Sequence, residues 1–419
     1  MNFEKIENEI IRMVRLQKYK LYEFMVALCV FINGLGFVIP IAGINIVHIL
    51  SLLTFILILI NVLQKRTNIN RFFQDEKKWF LFFFSIWITY AFIQLKLMPI
   101  SIEYFKVGIM QLITNSIFIF FVLYTVHDEK SLSLIEKAIV GVLFVNVALG
   151  TFEIFTNIHF VEASSIWDVN HTRAFSDNVN EYATTVYCSL MGLAVMATHK
   201  KRLGKILKCL AILSGLCILT STSRGITLAV FVYILNYYMM KIYLDKVNGK
   251  TIFLKLILLS GLFILGVLVV FGMISSIANW MVKMFSGQGN IVSDNYRLYL
   301  IREGLSYFKQ SYGLGVGAGQ SIHLVKMNIH NFLIEILVEY GIVIFIGLIW
   351  ILWSVWNVAF LPFVPSKVRC IYFSFIPSAM IAGISSSNMN KYKIFWVILL
   401  LFYLSKSILY KKISGASQI

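Results

Sequence analysis

Apolar runs of about 20 residues recur from one end of the chain to the other, separated by short polar and basic segments. A hydrocarbon layer about 30 Å thick is crossed by a helix of about that length, which satisfies every backbone N–H and C=O within itself. A membrane barrel would instead show alternating strands of roughly ten residues, and the runs here are continuous. The pattern predicts an all-α, polytopic integral membrane bundle of about twelve spans. They fall at roughly 21–39, 44–63, 79–97, 107–126, 135–155, 181–198, 207–222, 225–242, 254–274, 332–356, 370–385 and 393–409.

Most connections between these spans are short. Two have room for chemistry: residues 156–180, and residues 275–331 between spans nine and ten. In the second, Ser293-Asp294 is expected to cap a helix on which Leu298, Ile301, Leu305 and Phe308 form one apolar stripe. Arg297 and Arg302 flank that stripe on opposite sides, so the helix is expected to lie on the membrane surface with both guanidiniums at headgroup depth.

Composition agrees with the pattern. With 59% hydrophobic residues, a mean hydropathy of +0.80, 14% charged residues and five prolines, the chain is no soluble core, and residues 1–419 read as a single membrane domain. Most of the 37 basic residues fall in the tail 1–20 and in every second connection, which by the positive-inside rule places both termini in the cytoplasm and both large loops outside. The net charge of +17 is then an orientation signal facing anionic lipid, and no nucleic-acid partner is expected. Five cysteines, an odd number without a CxxC pair, read as packing residues. The first 20 residues show no cleavable leader pattern; apolar Phe3, Ile6, Ile10, Met13 and Val14 allow a surface helix or a disordered basic tail.

The outer loops gather the polar chemistry. Arg173, Arg224, Arg297 and Arg302 lie in them or in the tight outward turn Ser221-Thr222-Ser223-Arg224-Gly225. The guanidinium fork grips phosphate oxygens through paired hydrogen bonds, so several outward arginines suit a lipid diphosphate; the plain alternative is that each anchors a span end. His330 stands at the mouth of span ten, where a neutral imidazole could accept a proton from an attacking hydroxyl, or could simply cap the helix together with Asn331. Glu335 and Glu339 follow on one face, four residues apart, and an acid at such depth needs a cation or a water-filled cavity, with a structural ion pair to an arginine as the plain alternative. Asn180 closes the first outer loop. The run Gly313-Leu314-Gly315-Val316-Gly317-Ala318-Gly319 lacks the Gly-Lys-Ser/Thr ending of a nucleotide loop and reads as a flexible or closely packed segment. Neither metal-ligand spacing nor an Asp-x-Asp pair is present, so no metal and no cofactor is expected.

Three stretches taken together, Ser223-Arg224-Gly225, NYRLYLIREGLSYFKQSYGLGVGAG ending at Gly319, and HNFLIEILVEYGIV beginning at His330, resemble the O-antigen polymerase and O-antigen ligase superfamily (Wzy and WaaL). The resemblance covers roughly residues 170–345, and Arg173 with Asn180 is similar to the family's earlier outer loop. It implies a metal-independent, inverting glycosyltransferase at the outer face of the bacterial plasma membrane. The donor would be a growing glycan on undecaprenyl diphosphate and the acceptor a lipid-linked repeat unit. In that scheme His330 is the base, and Arg224 and Arg297 stabilise the leaving diphosphate. Arg302 and Arg173 position phosphate or sugar, with Asn180, Asn331 and Glu335 in the binding set, and Glu339 orients His330 or an arginine. Membrane lipids, a chain-length regulator and a flippase are the implied partners. A capsular or exopolysaccharide polymerase is favoured over ligase-type transfer, because the Ile-, Phe-, Lys- and Asn-rich composition suggests an A/T-rich source without a lipid A core. A flippase of lipid-linked oligosaccharide is the rival from another class; it should show internal repeats or paired broken helices near mid-membrane, and the sequence shows neither.

Overall fold

The computed structural model describes residues 20–36, 40–41, 44–64, 77–98, 100–162, 171–176, 178–200, 203–245, 261, 291–385 and 393–416. Each predicted span except the ninth meets a helix. These are α1 (Leu21–Gly34), α2 (Ile46–Leu63), α3 (Lys77–Leu97), α4 (Ile102–Thr125), α5 (Glu129–Thr156), α6 (Val179–His199), α7 (Lys205–Thr220), α8 (Arg224–Asp245), α11 (Phe332–Trp356), α12 (Ser366–Ser385) and α13 (Lys393–Ala416). Two further helices precede α11: α9 (Ile291–Gln310) and the short α10 (Gln320–Val325). Seven of the described helices are long and apolar enough to cross a membrane. The predicted ninth span apart from residue 261, the first part of the long outer loop and the tail 1–19 lie outside the described residues. One exception to the all-helical expectation lies between α1 and α2, where β1 (Pro40–Ile41) pairs antiparallel with β2 (Ile44–Asn45), a hairpin that satisfies backbone groups in a short connection.

The chain divides into two compact units: Met1–Phe84 with Ile113–Ser223 and Tyr392–Ile419, and Ser85–Leu112 with Arg224–Lys391. In the first, α6 is enclosed by its neighbours, which lets it carry fully buried Thr184 and Ser189; the Thr184 hydroxyl donates to the Asn180 carbonyl at 2.7 Å. Asp128 caps α5 by accepting the Ser131 N–H at 2.7 Å. On α2, Leu52, Phe55, Leu59 and Leu63 are exposed, an apolar surface that a water-soluble bundle would bury and a bilayer covers. All five cysteines are free, and all but Cys209 are buried, as packing residues should be.

In the second unit α8 packs along α12, and α9 docks on α11. α9 docks by a face other than the apolar stripe that was expected on the membrane surface. Leu300 is fully buried, and a Cβ on Gly304 would stand 2.8 Å from Ile329 Cδ1 and 3.4 Å from Val338 Cγ2, while Leu298 of the apolar stripe is 52% exposed. A glycine admits the close approach of two helices, so the small residue rather than the greasy stripe marks the protein-facing side.

Candidate functional site

The site is organised by a break in a membrane helix. Within α11, Gly341 adopts φ 73° and ψ −175°, so the regular N–H to C=O ladder stops there. The freed groups are met by the glycine run: Val316 N donates to Val338 O and Gly317 N to Glu339 O, both at 2.8 Å, and Ile342 N donates to Gly313 O at 3.0 Å. Gln94 of α3 completes the seam, its Nε2 donating to Leu314 O at 2.8 Å and Glu339 O at 3.0 Å, and the Tyr90 hydroxyl donates to Leu314 O at 2.9 Å. The sequence reading foresaw no interrupted helix; the interruption is real and is repaired by protein, as irregular backbone at membrane depth requires. The glycine run is therefore a packed segment. Gly315 lies against backbone, where any side chain would collide: an added Cβ would stand 2.4 Å from Gly341 N.

Glu339, 3% exposed, accepts a 2.5 Å hydrogen bond from the Ser321 hydroxyl, and the backbone N–H groups of Gly319 and Ser321 also reach its carboxylate. It thus caps the N-terminus of α10, where orphan N–H groups and the helix dipole favour an acid. Glu339 was expected to orient His330 or an arginine; its carboxylate meets the start of α10, beside the glycine run.

His330 has the most unusual environment of the candidates. Its φ of 54° is left-handed, which for a residue with a side chain costs about 1–2 kcal/mol. Its Nδ1 is buried without a hydrogen-bond partner among the described residues. Burial, with the nearby positive charge of Arg297, lowers its pKa from 6.5 to about 4, so the imidazole is neutral at neutral pH. Asn331 takes the capping role, its Oδ1 accepting Ile334 N at 3.2 Å, and its carbonyl accepts Glu335 N at 2.8 Å. Glu335 is buried. Arg302 is exposed on α9, and Arg297 half-buried. Arg224, half-buried, opens α8, where a cation adds to the positive helix end, an arrangement suited to an anion.

In the other unit, Arg173 is 3% exposed. Its Nε and Nη2 both donate to Val161 O, at 3.1 and 3.0 Å. The turn that carries it is gripped by Glu153 of α5, whose Oε2 accepts the N–H groups of Arg173 and Ala174 at 2.8 and 2.9 Å, and whose Oε1 lies 3.3 Å from His159 Nδ1. Asn180 accepts the Ser223 hydroxyl at 2.8 Å, tying the start of α6 to the residue before Arg224. The structure thus brings His330 and Arg297 together, gives Asn331, Glu339 and Arg173 architectural contacts, and leaves Arg302 open. Gln94, Ser321 and Glu153 were missed in the sequence. The signal for Gln94 and Glu153 was there: each is a polar residue inside an apolar span.

Two similarities to known proteins accompany this geometry. Residues 209–349, which include every candidate except Arg173 and Asn180, match the profile of the family described as O-Antigen ligase (Wzy_C). The teichuronic acid biosynthesis protein TuaE of Bacillus subtilis (strain 168) is 22% identical over 363 residues, which cover 78% of this chain and 72% of that protein.

Proposed function

We propose that this chain, which belongs to the O-antigen ligase and polymerase superfamily, is the polymerase of a bacterial surface polysaccharide. The family and the apolar helices make it a membrane enzyme of polysaccharide assembly. The finer reading is that it transfers a growing glycan from undecaprenyl diphosphate to a hydroxyl of a second lipid-linked repeat unit. The reaction takes place at the outer face of the plasma membrane, in a bundle of about twelve spans with both termini inside. Outside the cell neither ATP nor nucleotide sugar is at hand, so the donor must arrive already activated, and a lipid diphosphate is such a leaving group. A chain-length regulator and a flippase would work beside it.

The observation that carries this reading is His330, neutral, strained and desolvated beside Arg297. A neutral imidazole takes the proton of the acceptor hydroxyl as that oxygen attacks the anomeric carbon, and the C–O bond to the diphosphate breaks with inversion. Arg297, with Arg224 at its helix end, stabilises the charge gathered on the departing diphosphate. Arg302, with Asn331 and Glu335, shapes the binding surface, Arg173 and Asn180 serve binding within their own unit, and Glu339 holds the glycine run in place. Such a reaction needs no metal.

The test is direct. Arg224→Ala and His330→Ala variants that insert normally should leave single lipid-linked repeat units accumulating outside the cell; polymer of native length would overturn the assignment. Extension of lipid-linked repeats by purified protein only after a divalent cation is added would overturn the metal-free mechanism. A product joined to an acceptor other than a lipid-linked repeat would favour ligase-type transfer.

A further inference from the structure

The polar side of α9 carries a feature that the reaction above does not use. Tyr296 and Tyr299 are 44% and 54% exposed, and their rings lie nearly parallel, with centroids 6.1 Å apart and planes at 26°. At about 100° per residue, Tyr296, Tyr299, Glu303, Ser306 and Gln310 share one stripe of the helix. The centre of that stripe lies about 160° around from the apolar stripe of Leu298, Ile301, Leu305 and Phe308. With the apolar stripe against the bilayer, the tyrosine pair faces away from lipid, in the company of an acid and two hydrogen-bonding side chains. An interfacial aromatic belt would put the rings on the lipid side. Arg297 and Arg302 flank the pair.

We infer that Tyr296 and Tyr299 form a shelf on which a pyranose ring of the diphosphate-linked glycan stacks. The C–H face of a pyranose is apolar and slightly positive, and it complements the negative face of a phenol ring. The hydroxyls on the rim of the same sugar find partners in Glu303 and Gln310. Charge complementarity sets the direction: at about 100° per residue Arg302 stands about 60° around the helix from Tyr299, so a diphosphate drawn to it leaves the first sugars of the molecule beside the rings. The shelf tolerates different sugars, because every pyranose has a C–H face, while it favours a ligand carrying an anionic group at one end.

This inference rests on the glycan-transfer reading, and its test separates the two. A Tyr299→Trp variant of the full chain in lipid nanodiscs is titrated with water-soluble oligosaccharide released from the producer's surface polymer, and fluorescence is followed as the difference from native protein. The shelf requires a saturable change. It also requires Tyr296→Ala/Tyr299→Ala to weaken binding of the same oligosaccharide by about tenfold, the scale of one lost stacking contact, and Tyr296→Phe/Tyr299→Phe, which keeps the rings, to restore it. Quenching of the Tyr299→Trp signal by brominated phospholipid without any response to oligosaccharide would make the pair a membrane anchor and overturn the inference. Unaltered oligosaccharide affinity in the double alanine variant would overturn it as well. A saturable response from protein that cannot extend lipid-linked repeats would keep the shelf and sink the polymerase reading.

Discussion

Gly315 and Gly341 touch backbone to backbone: a Cβ on Gly315 would stand 2.4 Å from Gly341 N, and one on Gly341 would stand 2.5 Å from the Leu314 carbonyl. Both residues have positive φ, at 83° and 73°. Gly315→Ala and Gly341→Ala therefore each combine left-handed strain with a collision against main chain that cannot swing aside, and each should cost more than about 2 kcal/mol. Gln94→Leu removes the donor shared by Leu314 O and Glu339 O, for an expected loss of about 1–3 kcal/mol. Thermal unfolding of the purified protein, followed by loss of the monodisperse peak, checks all three. Alanine at Gly315 with native stability would mean that the glycine run does not pack into the break.

Arg173 and Arg302 should part company under mutation, although both are proposed to serve substrate binding. Arg173 is buried and holds the Val161 carbonyl with two of its N–H groups, so Arg173→Ala should lower the melting temperature along with activity. Arg302 is exposed, and Arg302→Ala should leave stability within about 0.5 kcal/mol while raising KM for the lipid-linked substrate. Equal melting temperatures for the two variants would return Arg173 to a purely substrate-binding role.

The strain at His330 gives a third expectation. Side chains in the left-handed region and buried polar atoms without partners both cost stability, and both vanish in His330→Gly. That variant should lose polymerisation while melting no lower than the native protein. Its buried neighbour Ile329→Ala should lose about 2–5 kcal/mol. Equal destabilisation by the two substitutions would mark the imidazole as a packing residue.

These relationships show what could be read along the chain and what could not. Span positions were legible because lipid imposes one rule on every stretch, so that 332–356 and 393–409 match α11 and the body of α13. Arg224, Arg297 and His330 stood out as candidates because a charge or an imidazole is rare in so apolar a chain. The break at Gly341 was not, because the sequence Glu339-Tyr340-Gly341-Ile342 suits a continuous helix, and only the arrival of Val316 and Gly317 at its carbonyls makes interruption affordable. For the same reason the hydrogen bond of Glu339 to a serine 18 residues earlier was not legible, since it depends on the packing of α10. The apolar stripe of α9 was seen, but not that the helix docks through Leu300 and Gly304, since a small residue announces close packing only once its neighbour is in place.

The acid limb of the pH profile offers the last test. Burial and Arg297 hold the His330 pKa at about 4, so the neutral, proton-accepting form persists well below the pH at which an ordinary histidine, near 6.5, would be charged. For free enzyme, kcat/KM should therefore fall only as pH approaches about 4. The stability sign follows from the same shift. Because the folded-state pKa is the lower one, this group's contribution is complete above pH 6.5 and is lost as pH falls from there towards about 4. A bound diphosphate offsets the charge of Arg297, which raises the imidazole pKa, so the limb in kcat should sit above the limb in kcat/KM. Arg297→Gln should raise the free-enzyme limb in the same direction, leaving only the part that burial sets. Initial rates on lipid-linked repeats between pH 4 and 8, with substrate below and above KM, check each statement. A limb at 6.5 in the native enzyme that does not move in Arg297→Gln would sever the histidine from the arginine and, with it, from the proposed reaction.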